Sequence, residues 1–248
     1  VGKVRIDGVT NKPMIKDRLK EGEYEVFIDT EFKDCIMRIG EHTIKGKSDR
    51  IVLIVVHLDH PWQANDNLSS VAMAIDLAQN IKCKHTIKIV FCPETIGSIA
   101  YALKCIDLKK VDFMISAECI GSKTKLYWQK PFDLNNKLNY WTHLAISQRG
   151  IDNDKGTFRM LLGGDEYVFN DPQIGIPGIL LSRFPYPEYH TSADTPEIID
   201  EERIKEVEKV IIDLIDIAEK DYIPVRNFSG PLMRNRYGLD IPNKQFNL

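Results

Sequence analysis

The sequence lacks any apolar run long enough to cross a membrane. Its longest, "IVLIVV" at 51–56, is strand-sized, whereas a spanning helix needs roughly 18 or more apolar residues. Positive charge is not in excess either: 33 Lys and Arg stand against 36 Asp and Glu, for a formal net charge of −3. Phosphate binding wants a basic face, so neither a membrane nor a nucleic-acid partner is expected. Cysteines are few and odd in number, five with no CxxC pair, which argues against a disulfide framework. Cys92 and Cys119 lie in apolar runs, where a reduced thiol behaves as a small hydrophobe; this usage fits a reducing cytoplasm. Also missing are GxSxG, GxxxxGK[ST] and HExxH, so serine-hydrolase, phosphate-loop and helix-borne zinc-protease chemistry have no support. There is no internal repeat and no low-complexity tract. The opening "VGKVRIDGVTNKPMIKDRLK" is too charged for a signal peptide and has no initiator Met, so it reads as the start of a fragment.

What is present is a chain of 248 residues, enough to bury the core of one α/β domain with a small appendage. Two textures divide it. Residues 1–49 are polar, with two strand-like pieces at 23–32 and 35–46 that read as a β-hairpin in a small β-rich subdomain. From residue 50 strands and helices alternate. "IVLIVV" (51–56), "TIKIVFC" (86–92), "DFMISA" (112–117) and "GILLSR" (178–183) are short Val- and Ile-rich runs, as expected for strands buried on both faces. Helical spacing appears at 68–81, 96–105 and 137–147. It is clearest at 200–220, where Ile204, Val207, Ile211, Leu214, Ile215 and Ala218 share one face. Residues 50–220 therefore form the main α/β domain, and 221–248, rich in Asn, Pro and Arg, read as an irregular tail packed on the surface.

Alternation of this kind implies a mostly parallel, mixed sheet flanked by helices, whose ligands bind beyond the carboxyl ends of the strands. His57 follows the first run, Glu94 the second and Glu118 the third, and His190 lies seven residues beyond the fourth. Four strands thus deliver a His or a carboxylate to one edge of the sheet. Zinc takes imidazole nitrogen and carboxylate oxygen. His57 would supply the nitrogen, and Asp59 could accept its other N–H and fix the tautomer. Asp66, in the turn "ANDNLSS", could bridge two ions, and Glu94 could be the general base for water activated by the metal. His42, His85 and His143 have no accompanying carboxylate cluster and read as structural, and Glu202, Glu206 and Glu208 as a solvated helix face.

The motifs "HLD" (57–59), "ANDNLSS" (64–70), "PETIGS" (93–98), "AECIG" (117–121) and "YHTSADT" (189–195) together resemble those of the MH-clan zinc aminopeptidases, which include bacterial leucyl aminopeptidases and glutaminyl cyclases. The likeness covers residues 50 to about 220. It is greater still to aminopeptidase-like proteins of polysaccharide loci, which carry a small inserted β domain. The resemblance implies a zinc-exopeptidase, phosphorylase/hydrolase-like fold. It makes His57 and Glu118 ligands of one metal, His190 a ligand of the other, Asp66 the bridge with a cis bond to Asn67, and Glu94 the base. It departs at Thr95, where the family places a second glutamate; a threonine hydroxyl is a poor zinc ligand. Either His60, Asp165 or Glu166 substitutes, or the site holds a single ion. Glu118 also replaces the usual aspartate.

The expected function is a metal-dependent hydrolase of aminopeptidase type that releases N-terminal residues from peptides. One or two zinc ions are expected, with iron or manganese as alternatives for an O/N ligand set. Asp165 and Glu166 are candidates for binding a substrate amino group, Arg183 for clamping a carboxylate, and Tyr186 and Tyr189 for donating to an oxyanion. The rival readings are an amidohydrolase acting on a small N-acylated sugar or amino acid, and a catalytically inactive metal-binding module. The expected partner is a peptide or small amide substrate, and the oligomeric state is open, a homo-oligomer included.

Overall fold

The computed structural model describes residues 2–5, 20–27, 29–222 and 225–238. Strand β4 (Ile51–His57) shows why the rest assembles around it. All seven of its residues are buried, and because successive side chains point to opposite faces, Val52, Ile54 and Val56 enter one core while Ile51, Leu53 and Val55 enter another. Burying each such side chain contributes about 1.5–3 kcal/mol, so β4 needs cover on both sides.

Helices provide it. On the first face lie α1 (Ser69–Asn80), α3 (Lys137–Gln148) and α5 (Glu201–Lys220). They contribute Met73, Leu77, Leu138, Ile146, Ile211 and Leu214, among others, to the larger core. The second face is covered by α2 (Ile96–Lys104) and the single-turn α4 (Glu166–Phe169), through Tyr101, Ala102, Val168 and Phe169. Helix α5 is capped by Asp200, whose side chain accepts the Glu202 N–H, and opens with Glu201 and Glu202, where negative charge suits the helix dipole.

The seven-stranded sheet has the order β3-β5-β4-β6-β9-β7-β8. Its centre, β5 (Thr86–Cys92), β4, β6 (Val111–Glu118) and β9 (Gly178–Ser182), is parallel throughout. Strand β3 (Gly40–Ile44) closes one edge antiparallel to β5. At the other edge β7 (Leu126–Gln129) runs antiparallel to β9, and β8 (Asn153–Gly156) runs parallel to β7. The chain goes from β4 outward to β5, then crosses back to β6. The carboxyl ends of β4 and β6 therefore flank the switch point where α/β folds bind ligands.

Two expectations are corrected. The hairpin of 23–32 with 35–46 does not form: β2 (Tyr24–Phe27) pairs in parallel with β1 (Gly2–Arg5), and β3, although it precedes residue 50, is a strand of the large sheet. Residues 225–238 are not packed down; they are exposed, with one 3-10 turn at Arg234–Tyr237. Residues 1, 6–19, 28, 223, 224 and 239–248, which belong to the expected β subdomain and tail, lie outside the described residues. Among the described residues no helix is long and apolar enough to cross a membrane.

Candidate metal centre

Four chain segments meet at the switch point. His57 is the last residue of β4, Glu118 the last of β6, Glu94 follows β5 by two residues, and His190 lies in the loop after β9. A turn at Ala64–Leu68 carries Asp66 beneath them, with non-helical backbone at Asp66 and Asn67 and a cis Asp66–Asn67 bond. The turn from β5 into α2 closes tightly enough that a Cβ at Gly97 would strike Cys92 and Pro93, so glycine holds Glu94 near the strand end.

Asp66 is the hub. Its Oδ1 lies 2.9 Å from His57 Nε2 in a buried hydrogen bond. Its Oδ2 faces His190 Nε2 at 3.1 Å and His60 Nε2 at 3.5 Å. The ligand atoms of His57, Asp66 and Glu118 lie within 4.8 Å of one another, as do those of His60, Asp66 and His190, and those of His57, His60 and Glu94. Two buried carboxylate oxygens here, Asp66 Oδ2 and Glu118 Oε2, accept no hydrogen bond. Leaving such a group without a partner costs about 1–3 kcal/mol, more when it is charged, so these oxygens are arranged for something other than the chain. An ion with O and N ligands fits them.

The scaffold beneath is a set of buried side chains that hold the turn in place. Asp194, almost fully buried, accepts the backbone N–H of Asn65 at 2.6 Å and of Asp66 at 3.1 Å. The hydroxyl of Tyr186 donates to the same carboxylate at 2.7 Å. Asn65 Oδ1 accepts the Gly121 N–H; Asn67 Oδ1 accepts the Cys119 N–H, and Asn67 Nδ2 donates to the Ala117 carbonyl. The turn is thereby tied to the end of β6. Asn65, Asn67 and Asp194 sit inside "ANDNLSS" and "YHTSADT", so their sequence signal was proximity to the candidate ligands, whereas Tyr186, expected as an oxyanion donor, lies outside both motifs.

Electrostatics follow from this crowding. Burial alone would push the His57 imidazolium down, but its hydrogen bond with Asp66 and the charges of Glu118, Asp66 and Glu94 outweigh that and raise its pKa to about 9. For Asp66 burial acts upward and is overcome by His57, His60 and His190, so its pKa is lowered. Glu94 is raised, chiefly by burial, and Glu118 well above its ordinary value for the same reason. A raised carboxylate is better matched to proton transfer near neutral pH.

The remaining expected residues are distributed differently. Asp59 does not support His57: its Oδ2 accepts the Glu94 N–H at 3.0 Å, and Asn67 Nδ2, 3.4 Å from His57 Nδ1, occupies the place expected for it. Asp165 is buried and accepts the Thr95 N–H at 3.0 Å. Glu166, buried, accepts from Gln129 and from the Gly164 N–H, and burial raises its pKa to about 7. Arg183 is no free clamp: it is buried, with its guanidinium donating to Glu206 at 2.5 Å and to the Thr124 carbonyl at 2.7 Å. Glu206 is therefore part of an ion pair, and Glu208 is buried rather than solvated. Tyr186 is spent on Asp194. Tyr189 stays at the site, its ring stacked on His190 with centroids 3.8 Å apart. Burial, then the charges of Glu118 and Asp66, push its phenol up, so it remains an O–H donor at neutral pH. His85 has carboxylates after all, Glu219 and Asp112, each at 3.0 Å.

The profile of a family described as "Domain of unknown function (DUF4910)" matches residues 15–221. A Clostridium acetobutylicum protein named "Putative polysaccharide biosynthesis protein with aminopeptidase-like domain" is 29% identical over 212 residues, covering 83% of this chain and 48% of that protein. A crystal structure from the same organism superposes with a TM-score of 0.68 at 27% identity, over 73% of this chain and 44% of that one. A zinc aminopeptidase from Bacillus subtilis superposes with a TM-score of 0.61 at 20% identity, over 76% of this chain and 51% of the other. The chain thus spans about half the length of these three proteins.

Proposed function

Since the chain belongs to the DUF4910 family and has an aminopeptidase-like fold, we propose that it is a metal-dependent hydrolase of aminopeptidase type, acting on the N-terminal bond of peptides. The observation that carries this reading is the pair of buried carboxylate oxygens on Asp66 and Glu118 that accept no hydrogen bond, set beside His57. His57, Asp66 and Glu118 would hold the ion. Zinc suits the ligand set, and iron or manganese are compatible with it. Such an ion supplies Lewis acidity, which polarises a carbonyl and makes water more acidic.

The chain's own groups do the rest. Glu94, half-buried and with its pKa raised, takes a proton from the attacking water and returns it to the leaving amine. The phenol of Tyr189, stacked on His190, donates to the developing oxyanion. Five unpaired cysteines support a reducing, cytoplasmic setting. A second reading, an amidohydrolase acting on a small N-acylated sugar or amino acid, is favoured by one observation, the polysaccharide-biosynthesis name of the 29%-identical relative.

The test is a panel of aminoacyl anilides and N-acylated sugars given to zinc-loaded wild-type protein and Glu94→Gln. Turnover of the anilides that falls by about 10²–10⁴ in the variant supports the reading. Turnover confined to N-acylated sugars selects the second reading, and full activity in Glu94→Gln overturns the role of Glu94 in either.

A further inference from the structure

We propose that His60 completes a second metal site, supplying the ligand that Thr95 does not, so that the centre holds two zinc ions bridged by Asp66. This rests on the hydrolase reading above and extends it to residues of this chain that depart from the resemblance.

The two oxygens of Asp66 are divided between two sets of groups. Oδ1 is taken by His57, on the side of Glu118. Oδ2, on a residue only 1% exposed, accepts no hydrogen bond, yet His190 Nε2 stands 3.1 Å from it and His60 Nε2 3.5 Å. Both ring nitrogens lie close to this oxygen without a hydrogen bond to it. Ligand atoms at tetrahedral angles with zinc bonds near 2.0 Å are about 3.3 Å apart. The two observed separations straddle that value, and the ligand atoms of His60, Asp66 and His190 are all within 4.8 Å of one another.

The other candidates for the missing ligand are placed less well, although Asp165 Oδ2 also lacks a hydrogen-bond partner. Thr95 caps α2 with φ of 61°, and its N–H is held by Asp165 Oδ1. Glu166 is held by Gln129 and Gly164. Neither Asp165 nor Glu166 joins a ligand cluster among the described residues. His60 has two chemical consequences. A neutral imidazole in place of a carboxylate makes the second site less negative by one charge. It also tilts the site toward zinc and away from manganese, which prefers oxygen.

Zinc titration with equilibrium dialysis and plasma mass spectrometry tests this on wild-type protein, His60→Ala and His57→Ala, with circular dichroism to verify folding. The expected result is two equivalents in wild type and one in His60→Ala. Two equivalents of unchanged affinity in His60→Ala, or a single equivalent in wild type that His60→Ala retains, would overturn the proposal while leaving the hydrolase reading standing. No zinc in wild type would overturn both. Wild-type crystals soaked in zinc give a check that needs no variant. An anomalous peak about 2.0–2.1 Å from His60 Nε2 supports the assignment, and a peak near His190 with His60 turned away contradicts it.

Discussion

The carboxylate of Asp194 accepts the backbone N–H of Asp66 at 3.1 Å, across 128 residues of chain. With the Asn65 N–H and the Tyr186 hydroxyl on the same group, this bond sets where the hub of the candidate centre stands. Asp194→Ala should cost about 3 kcal/mol, since it strands several donors that bond to a charged group. It should also weaken zinc binding by about 10–100-fold, as losses of supporting partners do. Tyr186→Phe removes one bond and should cost less, about 1–2 kcal/mol. Urea unfolding of the metal-free proteins checks the order; an Asp194→Ala variant as stable as wild type would refute it.

Gly164 lies against the Glu118 carboxylate so closely that a Cβ there would collide with it, and would also approach Glu166 Oε2 at 3.3 Å. Gly164→Ala should therefore displace Glu118 and lower zinc affinity by about 10-fold or more. Calorimetric titration reads this directly, and unchanged affinity would show that Glu118 is not held against this glycine.

Arg183 is a structural cation. Its buried guanidinium pairs with Glu206, which is itself 31% exposed. Arg183→Ala should then destabilise the fold by about 2 kcal/mol, below the figure for a pair buried at both ends, and leave KM unaltered. A KM that rises sharply with stability intact would reinstate the carboxylate clamp.

Glu166 makes stability depend on pH in a definite direction. Its folded pKa, about 7, exceeds the ordinary value of 4.5, so between these values the folded chain binds more protons than the unfolded one. Stability therefore falls as pH rises from 4.5 to 7 and levels off above that. Denaturation midpoints of metal-free protein across this range should decline, with a shallower decline in Glu166→Gln. Identical slopes in the two proteins would remove Glu166 as a cause.

The parts of the fold that depend on local pattern were readable in advance. "IVLIVV" could only be a strand covered on both faces, and the spacing of Val207, Ile211 and Leu214 placed α5 within a residue of its observed start. The hairpin failed because strand pairing is a long-range choice: Ile44 finds its partner in Ile87, not in the neighbouring segment. Strand β8, "NDKG", has no apolar alternation and exists through pairing with β7. At the site, residue types and strand ends pointed to His57, Asp66, Glu118 and His190, which the fold brings together. Which side chain supports which was not legible. Asp59 is near His57 in sequence, but the chain leaves the strand after His57, and Asn67 reaches the ring through the Ala64–Leu68 turn. Arg183 looked free because its partner, Glu206, lies on α5, 23 residues later.

The most direct test of the central claim is elemental analysis by plasma mass spectrometry of purified wild-type protein beside Asp66→Ala. A metal centre organised on Asp66 predicts transition metal bound to wild type, as purified or after loading with zinc, manganese or iron, and lost in the variant. Wild-type protein that holds none of these ions after loading, or an Asp66→Ala variant that holds as much as wild type, would contradict it.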